Sequence, residues 1–249
     1  MDHTAEWRTQ GYDIPPASAE FLRPPGAEFL RAYHFTSSQH GVNALALSRL
    51  KVARFSDAND PFELLALNCH GREVRRRASM AKDAFNEVMG LLCFTKDWSS
   101  PLIWSHYADR HRGVCLGFDV RRTILATVEY EDDRLREDLP DDPDPAALDP
   151  DLQARLARTK SHHWKYEQEV RVFLELDRAL NEHGLYFRPF DNDLRLAEVI
   201  LGQQCALPVS AMRALVADHA PAGAQVLKAR LAFRSFNVRP DGRFRPLAS

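Results

Sequence analysis

Cysteine is scarce: the 249 residues hold four, Cys69, Cys93, Cys115 and Cys205, far apart and with no Cys-x-x-Cys pair. That excludes a disulfide framework and a thiolate metal site, and points to free thiols in a reducing compartment. Metal-binding histidines are missing too. His106 and His111 lie five apart, His162 and His163 are adjacent, and no His-Glu-x-x-His occurs, so no metal is expected. Glycine numbers only 11, with no Gly-x-Gly-x-x-Gly, no Gly-Lys-Ser/Thr and no Gly-x-Ser-x-Gly. Those absences set aside the Rossmann, nucleoside-triphosphatase and nucleophile-elbow hydrolase classes. Nowhere do eighteen apolar residues run together, and Met1–Arg8 has neither the basic region nor the apolar run of a secretory signal. No membrane span is expected, and the location expected is cytoplasmic. Charge is balanced, 33 Lys and Arg against 35 Asp and Glu, so nothing pulls the whole chain toward a polyanion. Arg72, Arg75, Arg76 and Arg77 form a basic cluster without interleaved aromatics, and a nucleic-acid partner is not expected.

What is present is core material. Hydrophobic residues make up 45% and aromatics 10%, ample for one large domain. Pro15, Pro16, Pro24 and Pro25 mark residues 1–30 as an arm, with one domain over 31–249. Within it, strands are expected at Arg31–Thr36, Val52–Phe55, Leu91–Thr95, Gly113–Asp119, Thr127–Tyr130, Val170–Leu176, Tyr186–Phe190, Ala197–Leu201 and Val226–Phe233. Helices are expected at Gly41–Leu50, Arg72–Met89, Leu102–Ala108 and Val209–His219. Short strands with interspersed helices make an α+β fold. Residues 131–151 hold ten acids and four prolines, which reads as a mobile surface insertion.

Several polar residues stand where a ligand can be met. His34, inside the apolar run Tyr33-His34-Phe35-Thr36-Ser37, can donate and accept at once. Its alternative is a core histidine bonded to backbone. Glu167 and Glu169 lie two apart; on a strand they share a face, and a carboxylate so placed can bond a ribose hydroxyl or support a developing cation. Arg171 continues that face, so a plain salt bridge with Glu169 is the competing reading. Ser105, His106 and Tyr107, beside Trp104, offer a wall of polar-tipped groups, or else one face against a sheet. Asn59-Asp60-Pro61-Phe62-Glu63 is either a ligand loop or turn chemistry.

Taken in order, Tyr33–Ser37, Asn59–Glu63, Leu92–Thr95, the run Leu102–Asp119 and Trp164–Arg171 resemble a bacterial family catalogued as domain of unknown function 2971, over roughly residues 31–202. Two of these pieces are also similar to motifs of ADP-ribosyltransferases. That resemblance implies two small, mostly antiparallel sheets flanked by helices, NAD as substrate, and transfer of ADP-ribose to an unknown macromolecular acceptor or to water. It makes Glu169 the catalytic carboxylate and Glu167 its helper. Contacts to NAD fall to His34, Thr36, Ser105, His106, Tyr107 and Arg171. The middle motif is either Phe94-Thr95 or Ser105-His106-Tyr107, and a catalytically silent nucleotide- or protein-binding regulatory module of the same fold is the alternative function.

Overall fold

The computed structural model describes residues 25–136, 149–219 and 224–244. Its elements are β1 (Phe29–Thr36), α1 (Ser38–Ala46), β2 (Arg49–Arg54), α2 (Arg72–Val88), β3 (Met89–Thr95), α3 (Pro101–Tyr107), β4 (Val114–Arg121), β5 (Ala126–Thr127) and β6 (Glu129–Glu131). Then come α4 (Pro150–Arg158), β7 (Thr159–Ser161), β8 (Glu169–Glu175), β9 (Leu180–Glu182), β10 (Leu185–Pro189), β11 (Leu194–Leu201), α5 (Val209–His219), β12 (Gln225–Leu231) and β13 (Val238–Pro240). The fold is mixed, with several helices and mostly antiparallel strand pairs. The chain divides into two compact units.

The first unit takes the residues up to Leu47, Lys96–Val120 and the residues from Leu194 on. Its strands lie in the order β13-β12-β11-β4-β1. β4 is buried along nearly its whole length, as its apolar run requires of a central strand. β11 and β12 are parallel, and α5 between them supplies the crossover that parallel neighbours need. Tyr33, Trp98, Trp104, Ala108, Cys115, Ile200 and Leu227 pack into one core cluster. Two glycines let backbone come close. A Cβ at Gly117 would lie 3.0 Å from the Tyr33 ring, and one at Gly113 would lie 2.1 Å from the Thr36 carbonyl oxygen and 2.9 Å from Ala108 backbone. Because backbone cannot step aside as a side chain can, Gly113→Ala is expected to cost about 1–3 kcal/mol or more, read by urea unfolding. A cost near zero would show that this approach is soft.

The second unit takes Ser48–Thr95 and Arg121–Asp193. There β3 pairs with β8 along seven residues, β2 and β10 extend the order to β9, and β5 pairs with β8 on its other edge. β6 and β7 form a short parallel pair. Phe55, Leu91 and Leu156 belong to its core cluster, with Phe85 and Phe173 packed against it.

Several expectations shift. The first helix begins at Ser38, after Ser37 whose side chain accepts from the His40 amide at 3.2 Å, and it ends at Ala46 because Ser48 is left-handed (φ 49°) and β2 starts at Arg49. The strand expected over Thr127–Tyr130 is split into β5 and β6, which pair with different neighbours. Both described ends of the acidic segment are tied down. Leu135 exchanges backbone hydrogen bonds of 2.8 Å with Ala66 and Asn68, and Asp149 caps α4 by accepting from the Asp151 amide at 3.1 Å. Residues 137–148 of that segment, and 1–24 of the arm, lie outside the described residues.

Candidate functional site

The second unit buries four charged side chains, Glu63, Lys160, Glu167 and Glu169, with the guanidinium of Arg171. β8 starts at Glu169 and, by its two-residue period, sends Glu169 and Arg171 to the same face. Across the ladder, Cys93 stands opposite Arg171 and Thr95 opposite Glu169. Arg171, 1% exposed, donates from Nε to Glu169 Oε1 at 2.8 Å and from Nη2 to Glu169 Oε2 at 3.2 Å. Its far edge makes a two-pronged contact with Glu63, Nη1 to Oε1 at 2.7 Å and Nη2 to Oε2 at 2.8 Å. Nη1 also reaches the Ala157 carbonyl at 2.6 Å. Only arginine's planar fork can serve two carboxylates this way.

Lys160 joins from β7. Its Nζ donates to Glu167 Oε2 at 2.6 Å and to Glu169 Oε2 at 3.0 Å, and lies 5.1 Å from the centre of the Trp164 ring. The Glu169 amide donates to the Tyr130 hydroxyl at 2.8 Å, so β6 is fastened to the same point. Three carboxylates thus meet two cations, which leaves one formal negative charge in excess.

Burial by itself raises the Glu169 pKa, but Arg171 and Lys160 outweigh it and hold the carboxyl at about 2. Burial lowers Lys160, and Glu169 and Glu167 more than reverse it, so the ammonium stays charged. Removal from water and the Glu169 charge hold the Cys93 thiol well above its ordinary range, and burial pushes Tyr130 up to about 12. That shift disfavours a thiolate at Cys93.

The expected pair of glutamates meets differently from the expectation. Glu167 is not on the strand. It closes a 3-10 helix over His162–Glu167, Gln168 turns left-handed (φ 46°), and β8 begins only at Glu169. The two carboxylates converge because both bind Lys160, and no shared pleat brings them together. Lys160 and Tyr130 were not legible as members of this group. Glu63 was visible only as the end of the run Asn59–Glu63, read as either a ligand loop or turn chemistry.

The remaining expected ligand residues lie in the first unit. His34 and Thr36 are half-buried on β1. Ser105, His106 and Tyr107 are on α3, which packs on β1 through Phe35 edge-on to Trp104 at 4.9 Å. Trp104 is fully buried, donates from Nε1 to the Trp98 carbonyl at 2.7 Å and stacks on His111, so it is core and not a ligand wall. Ser105 Oγ donates to the Pro101 carbonyl at 2.8 Å and lies 3.2 Å from His111 Nε2. His106 is exposed and touches the Tyr107 ring. Of the two candidates for the middle motif, Phe94-Thr95 is on β3 opposite Val170-Glu169, and Ser105–Tyr107 is on α3.

Two cavities in the second unit bear on the site. A wide one of about 1260 Å³ is lined mainly by apolar groups such as Phe85, Val88 and Phe173, and none of the expected site residues borders it. A smaller one of about 180 Å³ reaches Lys160 itself. Among the described residues, no three His, Cys, Asp or Glu side chains gather as a metal site would require, and no helix is long and apolar enough to cross a membrane.

Part of the network lies in a stretch that matches a known family model. Residues 103–172 match the family model described as Protein of unknown function (DUF2971). No curated protein and no solved structure matches the chain. The DUF2971 stretch carries Tyr130, Lys160, Glu167, Glu169 and Arg171. Glu63 and Cys93, which complete the network, fall outside it, as do Tyr33–Ser37 and Asn59–Glu63.

Proposed function

We propose that this chain is a catalytically silent binding module in which Glu169 is an ion-pair partner and does no chemistry on NAD. One observation carries the reading: both Glu169 oxygens already accept from Arg171 and Lys160, and the residue is 5% exposed. A carboxylate that is to stabilise a ribosyl cation needs its charge directed at the ligand; here two cations at hydrogen-bond distance consume it. The nucleotide or protein segment bound would meet surfaces other than this carboxylate. An ADP-ribosyltransferase-like arrangement remains the fold we propose, supported by the mixed elements and mostly antiparallel strand pairs; the two small sheets expected for it are replaced by one large sheet and a two-stranded pair. The free thiols at Cys69, Cys93, Cys115 and Cys205 suit a reducing, cytoplasmic setting.

A second reading keeps the transferase. It is favoured by the low pKa of Glu169, about 2, and by the excess negative charge of its network, both of which suit a cationic transition state. Incubation with nicotinamide-labelled NAD separates the two. The silent module releases no nicotinamide above buffer, with or without candidate acceptors. Release that vanishes in a folded Glu169→Gln variant would establish the transferase and overturn the first reading.

A further inference from the structure

The smaller cavity of the second unit has a chemistry that neither reading uses. Its roughly 180 Å³ are bordered by Asp60, Glu131, Asp132 and Asp133, with Phe62 and Leu65 as apolar neighbours. Asp60 is 2% exposed. One of its oxygens, Oδ1, accepts from the Phe62 amide at 2.9 Å and holds the turn, while Oδ2 is buried and has no hydrogen-bond partner among the described residues. A buried carboxylate oxygen without a donor is costly and is ordinarily met by a cation or water.

The charges around it do not cancel. Four carboxylates border the cavity against Lys160 and Arg134, and Lys160 is already committed to Glu167 and Glu169. Arg134 lies over the Phe62 ring at 4.8 Å and donates to the Leu67 carbonyl at 3.5 Å, and Asp132 meets His162 Nδ1 at 2.8 Å. Phe62 is 49% exposed, so part of its ring remains open beside the acids. Carboxylates next to an aromatic face and aliphatic walls favour an organic cation over a hydrated ion, because the carbon stem finds apolar surface while the head finds charge. The volume is below the ~300–1,000 Å³ typical of sites for drug-sized ligands, and fits a single alkylammonium or guanidinium arm.

We propose that the cavity at Asp60 binds a small organic cation, an alkylammonium or guanidinium group, with Asp60 Oδ2 as its buried anchor and Glu131 and Asp133 as its charged rim. The group can come from a free amine or from a basic side chain of a peptide, and the site recognises the same head in both. The inference is independent of whether Glu169 acts on NAD.

Calorimetric titration of the full chain with 1,4-diaminobutane, with an N-acetylated, amidated lysine and with the corresponding arginine compound tests it. At least one probe should bind, with affinity falling as salt rises. Asp60→Asn should weaken that binding at least tenfold while leaving the thermal midpoint unchanged or higher, since the asparagine carbonyl can still hold the Phe62 amide and the buried charge is gone. Glu131→Gln, on the rim, should weaken binding less and flatten the salt dependence. Tighter binding of the diamine would assign a free amine as the source, and tighter binding of a capped amino acid would assign a peptide. Absence of binding by all three probes, or binding unchanged in Asp60→Asn and Glu131→Gln, would overturn the proposal. Stronger binding of calcium than of any amine would overturn it equally.

Discussion

Replacing Arg171 with methionine should lower stability by about 3–5 kcal/mol, the usual result of removing one partner from a buried ion cluster. Methionine fills most of the volume but donates nothing. Glu63 then keeps its charge against a thioether, and Glu169 keeps only Lys160. For a chain of this size each kcal/mol is worth roughly 2–4 °C, so the thermal midpoint should fall by about 6–20 °C. Glu63→Gln, which removes one carboxylate and leaves a hydrogen-bonding amide, should cost distinctly less, because the excess negative charge disappears with it. If Arg171→Met melts with the parent protein, the network is not a source of stability, and the case for Glu169 as a structural group weakens with it.

Acid should unfold the protein over a window set by Glu169. Its folded pKa is depressed to about 2, against an unfolded glutamate near 4.3, so the unfolded chain takes up the proton first. The stabilisation is therefore complete above the unfolded value and is lost as pH falls from about 4 toward 2. A depression of this size corresponds to on the order of 3 kcal/mol. Urea midpoints measured at pH 7, 5.5, 4 and 2.5 should hold between the first two and then drop. In Glu169→Gln the starting stability should be lower and the acid slope shallower. An equally steep slope in that variant would assign the acid sensitivity to other carboxylates.

Much of the architecture was legible because it is periodic. The helix Val209–His219 runs between the residues the sequence indicates, and the apolar strand after Gly113 is an interior strand of its unit, with Gly113 close against backbone and Gly117 close against the Tyr33 ring. The pairing of Glu169 with Arg171 was legible for the same reason, since two residues apart on a strand is one face. What escaped was set by irregular backbone and by distance. Gln168 takes a left-handed conformation that no alternation pattern predicts, and it removes Glu167 from the strand. Lys160 arrives from a three-residue strand with no pattern of its own, and Glu63 from 108 residues upstream of Arg171. Helix α4 was hidden by the acidic composition before it, although Asp149-Pro150 is a fitting cap and first residue. The division into two units was equally invisible. The chain passes between them at Leu47, Thr95, Val120 and Asp193, at or near the ends of regular elements and without a proline- or glycine-rich linker to mark any crossing.

The long gap between Glu63 and Arg171 also imposes a delay during synthesis. At the ~5–20 residues per second of translation, Glu63 leaves the ribosome roughly 5–20 s before the guanidinium that compensates it. Strand β3, with its apolar run Leu91–Phe94, emerges in that interval without β8 to cover its edge. Until β8 is made, Glu63 lacks its guanidinium and β3 lacks a partner on one edge, and β8 supplies both in one step.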